Sequence, residues 1–252
     1  ISMLDPKAAV EAILDNEPRM VGITLLLFYN DTATTEIVVG LRRRGFAGPI
    51  LLGGKYATVS YEHLVEKFGS LVDAVCVGEG EITLLDAMER WRNGEPWQEV
   101  EGLARWKNGR VFAAPVRDLV DPIDVLAYPK RYFVEPIIEQ GVPISVVGTR
   151  GCWFGKCTFC SVSSLELILG KAPARRRTPR AIVDEMVHLH DTYGADYFAI
   201  ISDSFIGPGR RGKQELDEFI AEVAARGRDF RFTFACQPLD IERDSFSRLQ
   251  KV

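Results

Sequence analysis

Ile144-Ser-Val-Val-Gly148-Thr-Arg-Gly-Cys152-Trp-Phe-Gly-Lys-Cys157-Thr-Phe-Cys160-Ser161 runs an apolar strand pattern straight into three cysteines. Of the five cysteines in the chain, these three fall within nine residues, while Cys76 and Cys236 stand alone in strand-like sequence. A disulfide framework would spread them out, so in a reducing compartment the cluster points to metal or redox chemistry. In a parallel α/β domain the loops after the strands' carboxyl ends form the active face, and three thiolates on one such loop can share one inorganic group. Thiolates are soft ligands that suit iron–sulfur clusters or zinc. A set of three leaves one iron of a 4Fe–4S cluster without a protein ligand. Zinc is the alternative and would need a fourth ligand. His188 and His190 lie only two apart on the next helix and face different directions.

Downstream of the cluster, Thr178 and Pro179 open a helix to Thr192 with Gly194 just past its end. Tyr197 to Ser202 reads as a strand. Leu216, Phe219, Ile220, Val223 and Ala224 give the stripe of an amphipathic helix stopped by Gly227. Arg231 to Cys236 is a third strand, and Asp244 to Lys251 starts another helix. Three strand–helix units cannot close a barrel, so this domain is expected to be incomplete at its carboxyl end. Asp203 and Ser204 follow the second strand and Gln237 the third, on the same face as the cysteines, although Asp203 also suits a plain turn. The run Arg175 to Arg177 reads as a solvated face, with anionic-substrate binding as the minority view.

Upstream, a helix at Pro6 to Leu14, capped by Asp5, is followed by a buried strand at Met20 to Phe28 and a helix around Thr35 to Arg44. A short strand Ile50 to Leu52, a helix from Ser60 to Phe68, a strand Ala74 to Val77 and a helix from Glu81 to Arg92 complete the alternation. Apolar strands separated by helices indicate a parallel sheet covered on both faces. Its landmarks are Gly22-Ile-Thr24, Gly53-Gly54 with Thr58, and Gly78-Glu79-Gly80, all at carboxyl ends of adjacent strands, where open α/β sheets bind ligands. Glycines there let the backbone approach a flat ligand. Gly78 to Gly80 is not a dinucleotide fingerprint, because no third glycine follows at the required spacing. Leu103 to Trp106 and Arg110 to Ala113 flank a hairpin turn and read as connector, and prolines at 122, 129, 136 and 143 forbid long elements before the second domain. The expected division is 1–102, a connector 103–143, and 144–252.

At 252 residues with a formal charge of −4, the chain has no field to draw a polyanion, so nucleic acid is not implied. Neither an apolar run near the roughly 20 residues that span a bilayer nor the charged start of a signal peptide is present, so the expected location is cytoplasmic, with no membrane partner.

The cysteine segment resembles the radical S-adenosylmethionine superfamily, whose signature is three cysteines on the loop after the first strand of a partial (βα)6, TIM-like barrel. Its commonest spacing is C-x3-C-x2-C; here four residues separate Cys152 from Cys157, a longer gap that occurs among cobalamin-type members. The resemblance implies that Cys152, Cys157 and Cys160 hold a 4Fe–4S cluster whose open iron chelates S-adenosylmethionine, and that reduction yields a 5′-deoxyadenosyl radical. It also implies that Phe159 packs near the adenine, that Asp203 and Ser204 lie near the methionine amine with Gln237 on the same face, and that a flavodoxin- or ferredoxin-type protein supplies the electron.

The first hundred residues look like the flavodoxin-like (Rossmann-like) cobalamin-binding domain of cobalamin-dependent radical S-adenosylmethionine enzymes, with its first strand and its Asp-x-His-x-x-Gly pattern expected before Ile1. This implies Thr24, Gly53, Gly54, Thr58, Gly78 and Glu79 as cobalamin contacts; His63, on a helix, does not replace the missing histidine. The implied activity is methyl transfer to a carbon or phosphorus centre of a small molecule or peptide. The alternatives are cyclisation or rearrangement, or a non-catalytic cobalamin- or zinc-binding module. A methylthiotransferase would carry a second cysteine trio, and Cys76 is alone.

Overall fold

The computed structural model describes residues 5–27, 30–170, 174–240 and 247–249. The chain divides into two compact units, one of residues 1–119 with 167–170 and one of residues 120–166 with 171–252.

In the first unit, α1 (Pro6–Asp15), β1 (Val21–Thr24), α2 (Asn30–Arg43), β2 (Ile50–Gly53), α3 (Lys55–Val59), α4 (Tyr61–Phe68), β3 (Ala74–Cys76) and α5 (Gly80–Arg92) alternate as the apolar pattern requires. The sheet runs β1-β2-β3 in parallel, with Gly22 beside Leu51 and Leu52 beside Val75. The period of two in its central strands splits the core cleanly. Ile50, Leu52, Val75 and Val77 pack with Val38, Leu41, Leu64 and Val65 on one face. Leu51, Ala74 and Cys76 pack with Ala87, Trp97 and Val100 on the other.

Two expectations change here. Asp5 sits at the start of α1 without making a side-chain cap bond. The hairpin β4 (Leu103–Lys107) and β5 (Arg110–Ala113) is no connector: it extends the first sheet antiparallel to β3, pairing Cys76 with Leu103 and Val75 with Ala104. Leu103 and Ala104 are both fully buried, one on each face, and that burial draws the hairpin into the sheet. Asn108 and Gly109, with φ of 52° and 76°, make its turn.

In the second unit a short α6 (Val134–Glu139) lies in the proline-rich stretch before β6 (Ile144–Val147), β7 (Thr149–Arg150), α7 (Ser161–Ile168, whose last two residues count with the first unit), β8 (Arg175–Arg176), α8 (Pro179–Tyr193), β9 (Tyr197–Ile201), α9 (Gly209–Arg226) and β10 (Arg231–Phe234). The sheet is parallel in the order β10-β9-β6, and β7 pairs with β8 as a separate antiparallel clasp. Ile144, Val146, Phe198 and Ile200 bury the sheet against Ile182, Val183 and Met186 of α8 and Phe219 and Val223 of α9. Thr178 caps α8 by accepting from the Ala181 N–H at 3.2 Å, and left-handed Gly194 and Gly227 end α8 and α9. The helix expected from Asp244 to Lys251 lies outside the described residues except at 247–249, which are helical.

Candidate functional site

The root of the cysteine loop is fixed from below. Gly148 N–H continues the sheet by donating to Ile201 O at 2.8 Å, and a Cβ on Gly148 would fall 2.5 Å from Ser202 Oγ and 2.7 Å from Ile200 Cγ2. Only glycine fits there, because those atoms belong to the packed end of β9. The next two residues, Thr149 and Arg150, are gripped by Arg176 and Arg175 across the β7–β8 clasp.

The arginine run is therefore not a solvated face. Arg175 is 9% and Arg177 8% exposed. Arg175 donates to Val120 O at 2.6 Å. Arg176 donates to the carbonyls of Ser204 and Phe205 and pairs with Glu215 at 2.5 Å. Burial pulls the Arg176 pKa down from the ordinary arginine value, and the Glu215 carboxylate opposes that fall. Arg177 pairs with buried Glu185, donates to Ala181 O at 2.9 Å and Val147 O at 3.3 Å, and gives its own N–H to Gly148 O at 2.9 Å. Arg131 reaches the other Glu185 oxygen at 3.1 Å and Ser145 O at 2.6 Å. Guanidinium forks committed to carbonyls and carboxylates brace the loop rather than offer an anion site. The signal was available in the sequence: a basic run two residues before a capped helix whose inner face carries Glu185.

Above this brace the loop leaves through Gly151, whose φ is +86° and whose N–H donates to Asp203 Oδ2 at 3.0 Å. Asp203 thus holds the start of the loop. Ser204 is only 2% exposed, and its hydroxyl donates to Ile206 O at 3.1 Å, which takes it out of a ligand's reach. Cys152, Cys157 and Cys160 are free thiols, each half-buried. Cys157 O accepts from Cys160 N–H at 3.1 Å and from Ser163 Oγ at 3.0 Å, tying the second and third cysteines to the start of α7. Two links come from beyond β10: Gln237 Nε2 stands 4.0 Å from Cys152 Sγ, and Trp153 Nε1 donates to Asp240 Oδ2 at 3.3 Å. Phe159 is 91% exposed, an uncovered aromatic face between two of the thiols.

Among the described residues no three Cys, His, Asp or Glu side chains converge as ligands of a single metal ion do. Thiolates on one zinc ion stand about 4 Å apart, whereas a cube of iron and sulfide is a larger body that its ligands surround. Three free thiols on one loop are soft donors of the kind that suit an iron–sulfur group.

The lone cysteines differ in kind. Burial, with Glu81 nearby, pushes the Cys76 thiol up to about 11, and burial also raises Cys236. Because Cys76 stays protonated well above its ordinary value, native protein at pH 8 is expected to leave Cys76 unalkylated by iodoacetamide while Cys152, Cys157 and Cys160 react. Peptide mass spectrometry reads this directly, and equal labelling of Cys76 would refute the burial argument.

In the first unit the glycine landmarks meet. Leu25 N–H donates to Gly53 O at 2.7 Å and Tyr56 N–H to Leu25 O at 3.0 Å. Gly54 has φ +100°, and a Cβ there would lie 2.6 Å from Leu25 O and 3.0 Å from Thr24 Cγ2. Thr58, 1% exposed, donates to Gly54 O at 3.0 Å and accepts from Gly78 N–H at 3.1 Å. It therefore lies beneath the ledge and not on it. Thr24 is exposed, and Glu79 is half-buried at the start of α5. Strand β1 ends at Thr24, short of the expected Phe28, so Leu26 and Leu27 emerge 59% and 48% exposed beside the glycines. The uninterrupted apolar run concealed that step.

Comparison with known proteins agrees with this architecture. The family model for the B12 binding domain matches residues 2–87. An uncharacterized methyltransferase of Pyrococcus horikoshii is 31% identical over 195 residues, 75% of this chain and 40% of that protein. The anaerobic magnesium-protoporphyrin IX monomethyl ester cyclase of Cereibacter sphaeroides is 29% identical over 187 residues, 70% of this chain and 28% of that protein. Among solved structures, the radical S-adenosylmethionine methyltransferase TsrM from Kitasatospora setae, with cobalamin and a [4Fe-4S] cluster bound, superposes with a TM-score of 0.76 at 20% identity, covering 97% of this chain and 49% of that one. The chain spans less than half the length of each of these proteins. Residues 2–87 form a B12-binding domain, and the chain has the fold of the cobalamin-dependent radical S-adenosylmethionine enzyme family.

Proposed function

We propose that the chain carries the core of a radical S-adenosylmethionine enzyme that uses cobalamin to transfer a methyl group to a carbon or phosphorus centre of a small molecule or peptide. The observation that carries this is the set of three free, half-buried thiols on the loop rising from β6, in a chain whose other unit matches a B12-binding family. Cys152, Cys157 and Cys160 would hold the 4Fe–4S cluster, Phe159 would offer its exposed face to the adenine, and Asp203 and Gln237 would flank the bound S-adenosylmethionine. Thr24, Gly53, Gly54, Gly78 and Glu79 would meet the cobalamin. When bound, the cofactors supply one-electron cleavage of the sulfonium to a 5′-deoxyadenosyl radical and carriage of the methyl group.

The chain's own residues do the rest. Gly151 N–H on Asp203 fixes where the loop starts, Cys157 O anchors Cys160 and Ser163, and the arginine brace keeps the loop root from yielding. A flavodoxin- or ferredoxin-type donor would deliver the electron. Among the described residues no helix is long and apolar enough to cross a membrane, and the reducing chemistry suits the cytoplasm.

Anaerobic purification with added hydroxocobalamin, followed by iron, sulfide and cobalt quantitation on one sample, tests the proposal. The expected result is about four iron and four sulfide per chain, as the cluster demands, with cobalt retained and 5′-deoxyadenosine released under reduction. Zinc without iron or sulfide would sink it in favour of a zinc-stabilised module. A second reading, radical cyclisation, is favoured by the likeness to the protoporphyrin ester cyclase. Product mass separates the two, since methyl transfer adds a carbon and ring closure does not.

A further inference from the structure

We propose that Thr58 is a positioning residue whose hydroxyl staples the Gly53–Gly54 loop to the Gly78–Glu79 loop, setting the spacing of the ledge that a corrinoid would lie on. Three observations within the first unit converge on this. First, the sheet ladder ends at Val77, whose N–H donates to Gly102 O at 2.7 Å, so Gly78 is the first residue whose amide the strand no longer serves. That amide finds the Thr58 Oγ1 at 3.1 Å. Second, the same hydroxyl donates its proton to Gly54 O at 3.0 Å, on top of the backbone bond from Thr58 N–H to that carbonyl at 2.9 Å. One hydroxyl thereby links the loop after β2 to the loop after β3. Third, both linked glycines hold positive φ, +100° at Gly54 and +99° at Gly78. That region is open to glycine and to few other residues, so the loops need an outside tie to hold one arrangement.

With 1% of its surface exposed and the hydroxyl engaged as both donor and acceptor, Thr58 has nothing left with which to touch a ligand. Its effect on binding must pass through the glycines. The chemistry needed is a hydroxyl on a short side chain that fits the buried space. Serine supplies the hydroxyl without the methyl, and valine supplies the shape without the hydroxyl. Valine would leave the part-buried Gly78 N–H without its acceptor and remove one of the two bonds to Gly54 O.

The inference rests on the cobalamin reading for the identity of the ligand, but the staple itself can be tested without ligand. Thr58→Val and Thr58→Ser are made in the whole chain, and two quantities are read: hydrogen exchange at the Gly78 amide in ligand-free protein, and the Kd for hydroxocobalamin by absorbance titration. For T58V, exchange at Gly78 is expected to quicken and Kd to rise, each by about tenfold, as loss of one hydrogen bond implies. For T58S both should stay within about twofold of the wild type, because the hydroxyl is retained. If T58V binds hydroxocobalamin as tightly as the wild type, the staple does not position the ledge and the proposal falls. It falls equally if T58S loses affinity as T58V does, since the hydroxyl would then not be the agent. Wild-type chain that binds no hydroxocobalamin, with Gly78 still protected by Thr58, would instead overturn the cobalamin reading.

Discussion

Alanine in place of Cys157 is expected to leave the anaerobically reconstituted chain with almost no iron or sulfide, whereas Cys76→Ala and Cys236→Ala load like the wild type. The contrast follows from where the thiols stand. Cys157 lies on the loop between β7 and α7 with Cys152 and Cys160, half-buried and unpaired. Two thiols and two open irons do not hold a cube against solvent, because the protein's grip consists of thiolate bonds. Cys76 is buried within the first unit's sheet, and burial keeps its thiol protonated up to about 11, so it cannot offer a thiolate in exchange. Iron and sulfide assays with the visible absorbance of the cluster read the result. Wild-type loading in C157A would break the assignment, and full loss in C76A would show that the wrong cysteines had been chosen.

Glu185→Ala is expected to destabilise the second unit by about 3–5 kcal/mol, the usual consequence of stranding a buried charge. The side chains of Glu185 and Arg177 are 3% and 7% exposed. Removing the carboxylate leaves Arg177 with two backbone carbonyls and a distant Asp124 at 3.6 Å, and takes a partner from Arg131 as well. For a unit of this size the melting midpoint should fall on the order of 10 °C. The double change Arg177→Met with Glu185→Leu should recover only part of the loss: a hydrophobic pair can replace an ion pair, but the Val147 and Ala181 carbonyls would lose their donor. Differential scanning calorimetry settles it. A melt within a degree of the wild type for Glu185→Ala would mean that the brace carries little.

The parts legible in the sequence were those that depend on local pattern. Short continuous apolar runs placed β2, β3, β6 and β9, and Thr178, Pro179 and Gly194 bounded α8, because strand burial and helix capping act over a few residues. Leu103 and Ala104 escaped, since whether a hairpin stays apart or joins a sheet depends on what distant strand it meets. The arginines at 175–177 escaped for the same reason: their partners Val120, Val147, Ser204, Phe205, Glu185 and Glu215 lie on separate elements. Thr58 and Ser204 sat just past the ends of the expected strands, yet a sequence does not show whether a hydroxyl faces out or in, and both face in. The short helix α7 just after Cys160 likewise has no counterpart among the expected elements.

The cysteine segment is moored on its upstream side by the β7–β8 pairing, by Gly151 N–H on Asp203 and by Trp153 on Asp240, and on its downstream side by Cys157 O on Cys160 and Ser163. Between Trp153 and Cys157 the backbone turns through left-handed Gly155. A span moored on both sides of such a turn can gain or lose a residue there without passing strain to the sheet beneath. The four-residue gap between the first two thiols is then a matter of slack in the span and asks nothing different of the strand that carries it.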